Sequence, residues 1–311
     1  MKVFVAGATG AIGLPLVSAL IAARHEVIGM TSKEAGLQSL RQAGADGVVI
    51  DALNSEAVYA ALAKIRPEAV VEELTSLPKR YTPEEMRAAR PRDSKLRLEG
   101  GANVQKAATA AGARRYVVQS TGFFYGPGPG LAIETDSLAF DAPPGIASSV
   151  RTYTEIEKRV LGTPGLNGTA LRYGFFYGPG TYHDPLSGSI SQQLQEQKYP
   201  IIGDGRGIYS FIHIHDAAAA IVAALDAEPG VYNVVDDNPS PIAIWLPAFA
   251  RSIAAPPPRA ISEEHALKTA GPESVYYATR LRGASNAKAK RELGFRPRPL
   301  EWLAERSGQR F

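Results

Sequence analysis

No cysteine occurs in the 311 residues, which excludes disulfides, thiolate nucleophiles and cysteine-held metal. Histidine is scarce too: five are present, none in H-E-x-x-H spacing, and no metal site is expected. No apolar run is long enough to cross a bilayer. Residues 1–23 could pass for a signal peptide, but Gly7, Gly10 and Gly13 interrupt them, so a cytoplasmic protein without membrane attachment is expected. Neither sign of charge dominates. The formal net charge is +3, with acids and bases mixed along the chain, which leaves no basic stripe for nucleic acid. Residues 87–97 are locally basic but interrupted by acids, and they read as a solvated helix face. No internal repeat stands out, and Pro256-Pro257-Pro258 marks an extended connection.

What is present is concentrated at the amino terminus. Residues 2–6 (Lys-Val-Phe-Val-Ala) read as a buried strand, residues 14–23 as a helix, and Gly7-Ala8-Thr9-Gly10-Ala11-Ile12-Gly13 joins them. A strand, a glycine-rich turn and a helix N-terminus make an anion cradle, because the first N–H groups of a helix are free and its dipole is positive there. The expected cradle comprises Gly7, Thr9, Gly10, Ala11, Ile12 and Gly13, with Gly10 allowing a pyrophosphate to approach the backbone. Strand and helix signals then alternate: strands near 25–30, 47–50, 69–72, 115–119 and 168–172, helices near 35–43, 55–65 (capped by Ser55), 95–111 and 151–161. Such alternation predicts an α/β fold, a doubly wound parallel sheet (Rossmann) with a smaller C-terminal substrate-binding lobe. The dinucleotide-binding part is expected at 1–178, with a return at about 206–236, and the substrate-binding lobe mainly at 179–311. Ligands of such sheets lie at the carboxyl ends of the strands.

The second strand ends Met30-Thr31-Ser32-Lys33. Sites for NAD usually carry an acid here to hold the ribose 2′-OH. Thr31 stands in its place, and Ser32 and Lys33 would welcome a 2′-phosphate. NADP is therefore the expected cofactor, with NAD left open. Asp51 and Ala52, after the third strand, are placed to border the adenine; a turn role for Asp51 is equally open. Leu74 and Thr75, after the fourth strand, are expected to back the cofactor.

Further motifs follow in order: Ser120-Thr121-Gly122-Phe123-Phe124-Tyr125-Gly126, Leu171-Arg172-Tyr173-Gly174-Phe175-Phe176-Tyr177-Gly178-Pro179-Gly180, Gly203-Asp204-Gly205 with Phe211-Ile212-His213-Ile214-His215-Asp216, Gly230-Val231-Tyr232-Asn233-Val234, and the run from Ser285 to Phe295. With the glycine turn, these resemble the extended short-chain dehydrogenase/reductase family, which includes nucleotide-sugar epimerases and dehydratases. The resemblance covers nearly the whole chain. It implies that Tyr173, Phe175 and Phe176 close over the nicotinamide and that Thr121 orients the substrate oxygen. It also implies a tyrosine whose phenol is activated by a lysine four residues later. Here the chain departs from the pattern. Tyr153 is followed at that spacing by Glu157, and Lys158 lies one residue too far round the helix. An alternative register puts Ser149 at the tyrosine position and Tyr153 at the lysine position. A glutamate beside Tyr153 would raise the phenol pKa, the wrong direction for a base. The acid pair of dehydratase-type members is replaced by Gly122-Phe123.

The expected catalytic residues are thus Thr121 and Tyr153. Phe123, Tyr182, His183 and His213 are expected at the substrate, with solvated loop roles open for His183 and Asp184 and a structural role open for His213. His213 and His215, two apart on a presumed strand, should face opposite sides. Arg172 reads as a buried structural pair. The aromatic residues suit a hydrophobic or ring-containing substrate. The expected function is an NADP-dependent oxidoreductase acting on a carbonyl or alcohol group of a small organic molecule, atypical in its acid/base site. The alternatives are an epimerase or isomerase holding NAD(P) tightly and a non-catalytic NADP-sensing protein. A homodimer through the helices at 95–111 and 151–161 is a further expectation.

Overall fold

In the computed structural model, which describes residues 1–303, seven strands form one parallel sheet: β1 (Lys2–Ala6), β2 (Glu26–Thr31), β3 (Asp46–Val49), β4 (Ala69–Glu72), β5 (Arg115–Thr121), β6 (Asn167–Tyr173) and β7 (Gly230–Val234). Their order is β7-β6-β5-β4-β1-β2-β3, so the chain order reverses beside β1, where ligands of such sheets bind. The remainder of the expected C-terminal lobe, residues 304–311, lies outside the described residues.

The strands are apolar on both faces because helices cover both. Val3 and Val5 pack with Leu16, Val17 and Leu20 of α1 (Gly13–Ala22) and with Ala217 and Ile221 of the helix Ile214–Ala224. Phe4 and Ala6 face the other way, against Val58 and Leu62 of α3 (Ser55–Ile65), with α2 (Glu34–Gln42) preceding it. Each such fully buried aliphatic side chain contributes about 1.5–3 kcal/mol. Asn54, not Ser55, caps α3: its side chain accepts the Ala57 N–H at 3.1 Å.

The helix expected at 95–111 is longer and composite. α4 (Pro83–Lys95) runs through a π-helical turn, Leu96–Gly100, into α5 (Gly101–Ala110). Thr82 caps α4 by accepting the Glu85 N–H at 3.2 Å, and Pro83 takes the first helical position, where its missing N–H costs nothing. The same applies to α6 (Pro144–Leu161), which starts seven residues before the expected Arg151 because Pro144 opens it. Beyond β6, the short strand Phe175–Tyr177 pairs with Phe211–His213. With Tyr209, Trp245, Phe249 and Trp302 these build a separate aromatic core above the strand ends. Among the described residues, no helix is long and apolar enough to cross a membrane.

Candidate active site

The glycine turn divides its three glycines between packing and access. Gly7 has φ +88°, and a Cβ there would lie 2.5 Å from the Glu73 carbonyl oxygen. A Cβ at Gly13 would run into the backbone of Gly7 and Ala8. Gly10 is different: a Cβ would meet nothing closer than the Gly7 oxygen at 3.4 Å, and the residue is exposed. The fold leaves room for a side chain there; a ligand lying on the backbone would not. No side chain caps α1, and its first turn carries no acid, so its N–H groups and dipole face the cleft unopposed. These features fit a dinucleotide diphosphate.

A cavity of about 1000 Å³ extends from this cradle along the strand ends. Gly7, Gly10, Ala11, Ile12, Gly13, Thr75, Thr121, Tyr153, Tyr173, Phe175 and Phe176 line it, as do Phe123, Tyr182 and His183. Thr9, Thr31, Ser32, Lys33, Asp51, Ala52, Leu74 and His213 do not. Thr9 and Thr31 place their hydroxyls 3.4 Å apart, next to the turn, and Lys33 is exposed at the start of α2. Asp51 uses Oδ1 to accept the Leu53 N–H at 2.9 Å, the turn role. The Ala52 carbonyl accepts from Asn103 at 2.9 Å, and Leu74 belongs to the sheet core.

His213 lies off the cavity. Its Nδ1 accepts the His215 N–H at 3.1 Å at the start of the helix Ile214–Ala224, and its ring packs edge-on to Tyr177. The strand stops at His213, so the two histidines do not face opposite sides: their rings are 5.0 Å apart. His183 and Asp184 are not a solvated pair either, with exposures of 4% and 6%. His183 donates from Nδ1 to the Phe176 carbonyl at 3.1 Å, and burial lowers its pKa to about 4, so it stays neutral. The Asp184 carboxylate accepts from Ser187, Leu186 and Gly180 and fixes the loop.

Arg172 and Glu157 form a buried ion pair at 2.7 and 2.8 Å, and Ser120 donates to the same carboxylate at 2.6 Å. Glu157 is thereby engaged away from Tyr153. The charges that act on the Tyr153 phenol come from elsewhere. Burial raises its pKa most, the Arg97 guanidinium opposes that, and Asp93 and Glu73 add to the rise.

Arg97, expected on a solvated face, is 3% exposed. It sits in the π-helical turn, where it donates to Asp93 at 2.8 Å and Gln119 at 3.3 Å, with its guanidinium carbon 5.1 Å from the Tyr153 ring centre. Glu73, just past β4, is 6% exposed, and both its carboxylate oxygens lack a hydrogen-bond partner among the described residues. Burial lifts its pKa to about 8; Arg97 opposes the rise and Glu72 adds to it. The Thr121 hydroxyl and the Tyr173 phenol are likewise buried without a partner. Glu73, Arg97, Asp93 and Gln119 were not among the residues expected from sequence. Two signals were available: a second acid at the end of an apolar strand, and the four-residue spacing of Asp93 and Arg97.

The substrate side is aromatic. Phe123 stacks on Phe175 at 4.2 Å, Phe175 on Tyr209 at 4.4 Å, and Tyr81 meets Tyr182 at 5.1 Å. Lys79, Arg87, Lys198 and Arg259 also line the cavity and are exposed; Lys198 pairs with Glu196 at 2.8 Å and Glu273 lines the same cavity, which leaves the rim basic on balance.

The family model described as "NAD dependent epimerase/dehydratase family" matches residues 3–234. A 3-diazoavenalumate denitrifying reductase from a Streptomyces species is 42% identical over 306 residues, spanning 97% of this chain and 98% of that protein. Two crystal structures share the fold. UDP-glucose 4-epimerase from Thermotoga maritima with UDP-glucose has a TM-score of 0.75 at 19% identity, covering 97% of this chain and 95% of that one. The dTDP-glucose 4,6-dehydratase from Streptomyces venezuelae with NAD bound also has a TM-score of 0.75 at 19% identity, covering 96% and 93%.

Proposed function

The chain belongs to the NAD-dependent epimerase/dehydratase family and is an enzyme of the short-chain dehydrogenase/reductase type; from that premise we propose that it is an NADPH-dependent reductase of a ring-bearing, negatively charged small molecule. A diazo-bearing carboxylate is the leading substrate class, by likeness to the denitrifying reductase. The observation that carries this reading is the single cavity joining the glycine cradle to the Phe123–Phe175–Tyr209 stack under a basic rim. Dehydration of a nucleotide sugar is disfavoured because a side chain at Gly122 would begin 2.8 Å from the Arg172 carbonyl.

The cradle residues would hold the cofactor diphosphate, and Ser32 and Lys33 the 2′-phosphate. When bound, the reduced nicotinamide supplies hydride. The protein supplies the rest. The Thr121 hydroxyl, free of other partners, orients the acceptor group. Arg97 holds positive potential under Tyr153. The aromatic stack positions the ring and keeps water out, and the rim cations receive the carboxylate. The loops and helices within 179–311 act mainly as the substrate-binding lobe.

Calorimetry with NADPH and NADH, followed by cofactor-absorbance assays, tests the reading. NADPH should bind more tightly, and absorbance should fall with ring-bearing diazo or carbonyl carboxylates. Uptake of neither cofactor, or conversion of a UDP-sugar with no net cofactor oxidation, would refute it.

A further inference from the structure

We propose that Glu73 is the proton donor of this site, filling the post left open by the missing tyrosine–lysine pair; the inference rests on the reductase reading above. Glu73 follows β4, Thr121 ends β5 and Tyr173 ends β6, so adjacent strands bring the three to one end of the sheet. Thr121 and Tyr173 are paired in register, and each of the three holds polar atoms that are buried and unpartnered among the described residues. A buried carboxyl without a partner weakens a fold and is kept for a reason. Its neighbour shows the contrast: Glu72 points to the opposite face and is fully engaged by Arg159 at 3.0 Å and Tyr116 at 2.5 Å.

The groups facing Glu73 are few. Arg97 comes from the π-helical turn, with Asp93 from α4 on its far side; Tyr153 comes from α6, Tyr173 from β6 and Glu72 from β4 itself. Burial outweighs the one cation among them, so the carboxyl keeps its proton at neutral pH, a carboxylic acid ready to give it. With a carbonyl acceptor, the Glu73 O–H bond breaks, the oxygen takes the proton and the carbon takes hydride from the reduced nicotinamide. With a neutral diazo carbon, the proton adds to carbon, hydride displaces the nitrogen, and N2 leaves with the C–N bonding pair. In both cases the carboxylate is left beside Arg97 and regains a proton from water.

The experiment compares wild type with Glu73→Gln, which keeps size and hydrogen bonding but cannot release a proton. Carboxyl-13C glutamate labelling reads the titration by NMR without any acceptor, and NADPH calorimetry checks that the variant is folded. The expected result is one carboxyl titrating near pH 8, absent from the variant. Turnover of a ring-bearing carboxylate that carries a neutral diazo carbon should fall about a hundredfold at unchanged NADPH affinity and KM. The falling limb of the kcat profile near pH 8 should disappear, and Glu73→Asp should restore part of the rate. A signal in the ordinary carboxylate range, or wild-type kcat in Glu73→Gln, overturns the proposal. A silent turnover assay beside a high-titrating carboxyl refutes the choice of acceptor instead.

Discussion

Replacing Glu73 by glutamine removes a titrating group from the end of the sheet without changing its size, and the consequence for stability has a definite sign. In the unfolded chain the carboxyl titrates near 4.5; in the folded protein burial moves it to about 8. Between those values the native state holds a proton that the unfolded state has released. Stability therefore falls as pH rises from 4.5 through 8, and levels off above. The full penalty is about 5 kcal/mol at 1.36 kcal/mol for each tenfold step, an upper figure against a total stability of about 5–15 kcal/mol. Glu73→Gln should match wild type near pH 5 and be more stable by about 2–5 kcal/mol near pH 8.5. The depressed pKa values of His183 and His213 give both proteins a common loss on the acid side, which cancels in the difference. Urea unfolding of both proteins from pH 5 to 9 measures it. Parallel curves, or a glutamine variant less stable at pH 8.5, would refute the assignment of a buried, unpaired carboxyl.

Gly10→Val should abolish NADPH uptake in calorimetry while leaving the thermal midpoint nearly unchanged, since the new side chain enters the cleft and not the core. Glu157→Ala strands the buried Arg172 guanidinium and should cost about 3–5 kcal/mol in denaturant unfolding. Lys33→Ala should weaken NADPH binding about tenfold, or about 1.4 kcal/mol, and leave NADH binding unchanged. Tyr153→Phe should keep kcat within about tenfold of wild type, below the usual contribution of a proton-transferring group; a larger loss would return the donor role to the phenol.

The sheet was legible because each of its strands is a short apolar run bounded by turn residues, and doubly covered parallel strands require that composition. The cradle was legible because three glycines at one helix start have few other uses. α4 was not: Ala89 is its one buried residue, so no apolar stripe marks it, and Pro91 reads as a helix breaker. Its cap at Thr82-Pro83 with Glu84 and Glu85 was in the sequence but stood alone. The side-chain alternation of a strand separates Glu72 from Glu73, yet which of two adjacent acids meets a buried arginine depends on helices far along the chain. Arg159 on α6 and Arg97 in the π-helical turn settle it. His213 was misplaced because the chain changes from strand to helix in the middle of the motif.

Why the phenol–ammonium pair could be dispensed with follows from what α6 does instead. At the spacing where a lysine would sit, Glu157 is taken up by Arg172 and Ser120, tying α6 to the ends of β5 and β6. A lysine at that position would place an ammonium against the Arg172 guanidinium, so the tie excludes the pair. The positive charge then has to reach the cavity from another element. Arg97, in the π-helical turn, does this: Asp93 and Gln119 hold its guanidinium against the Tyr153 ring. An arginine cannot be deprotonated at working pH, so unlike a lysine it can hold a field but not pass a proton. A site with that cation needs a separate acid, and the carboxyl beside it whose surroundings keep a proton at neutral pH is Glu73.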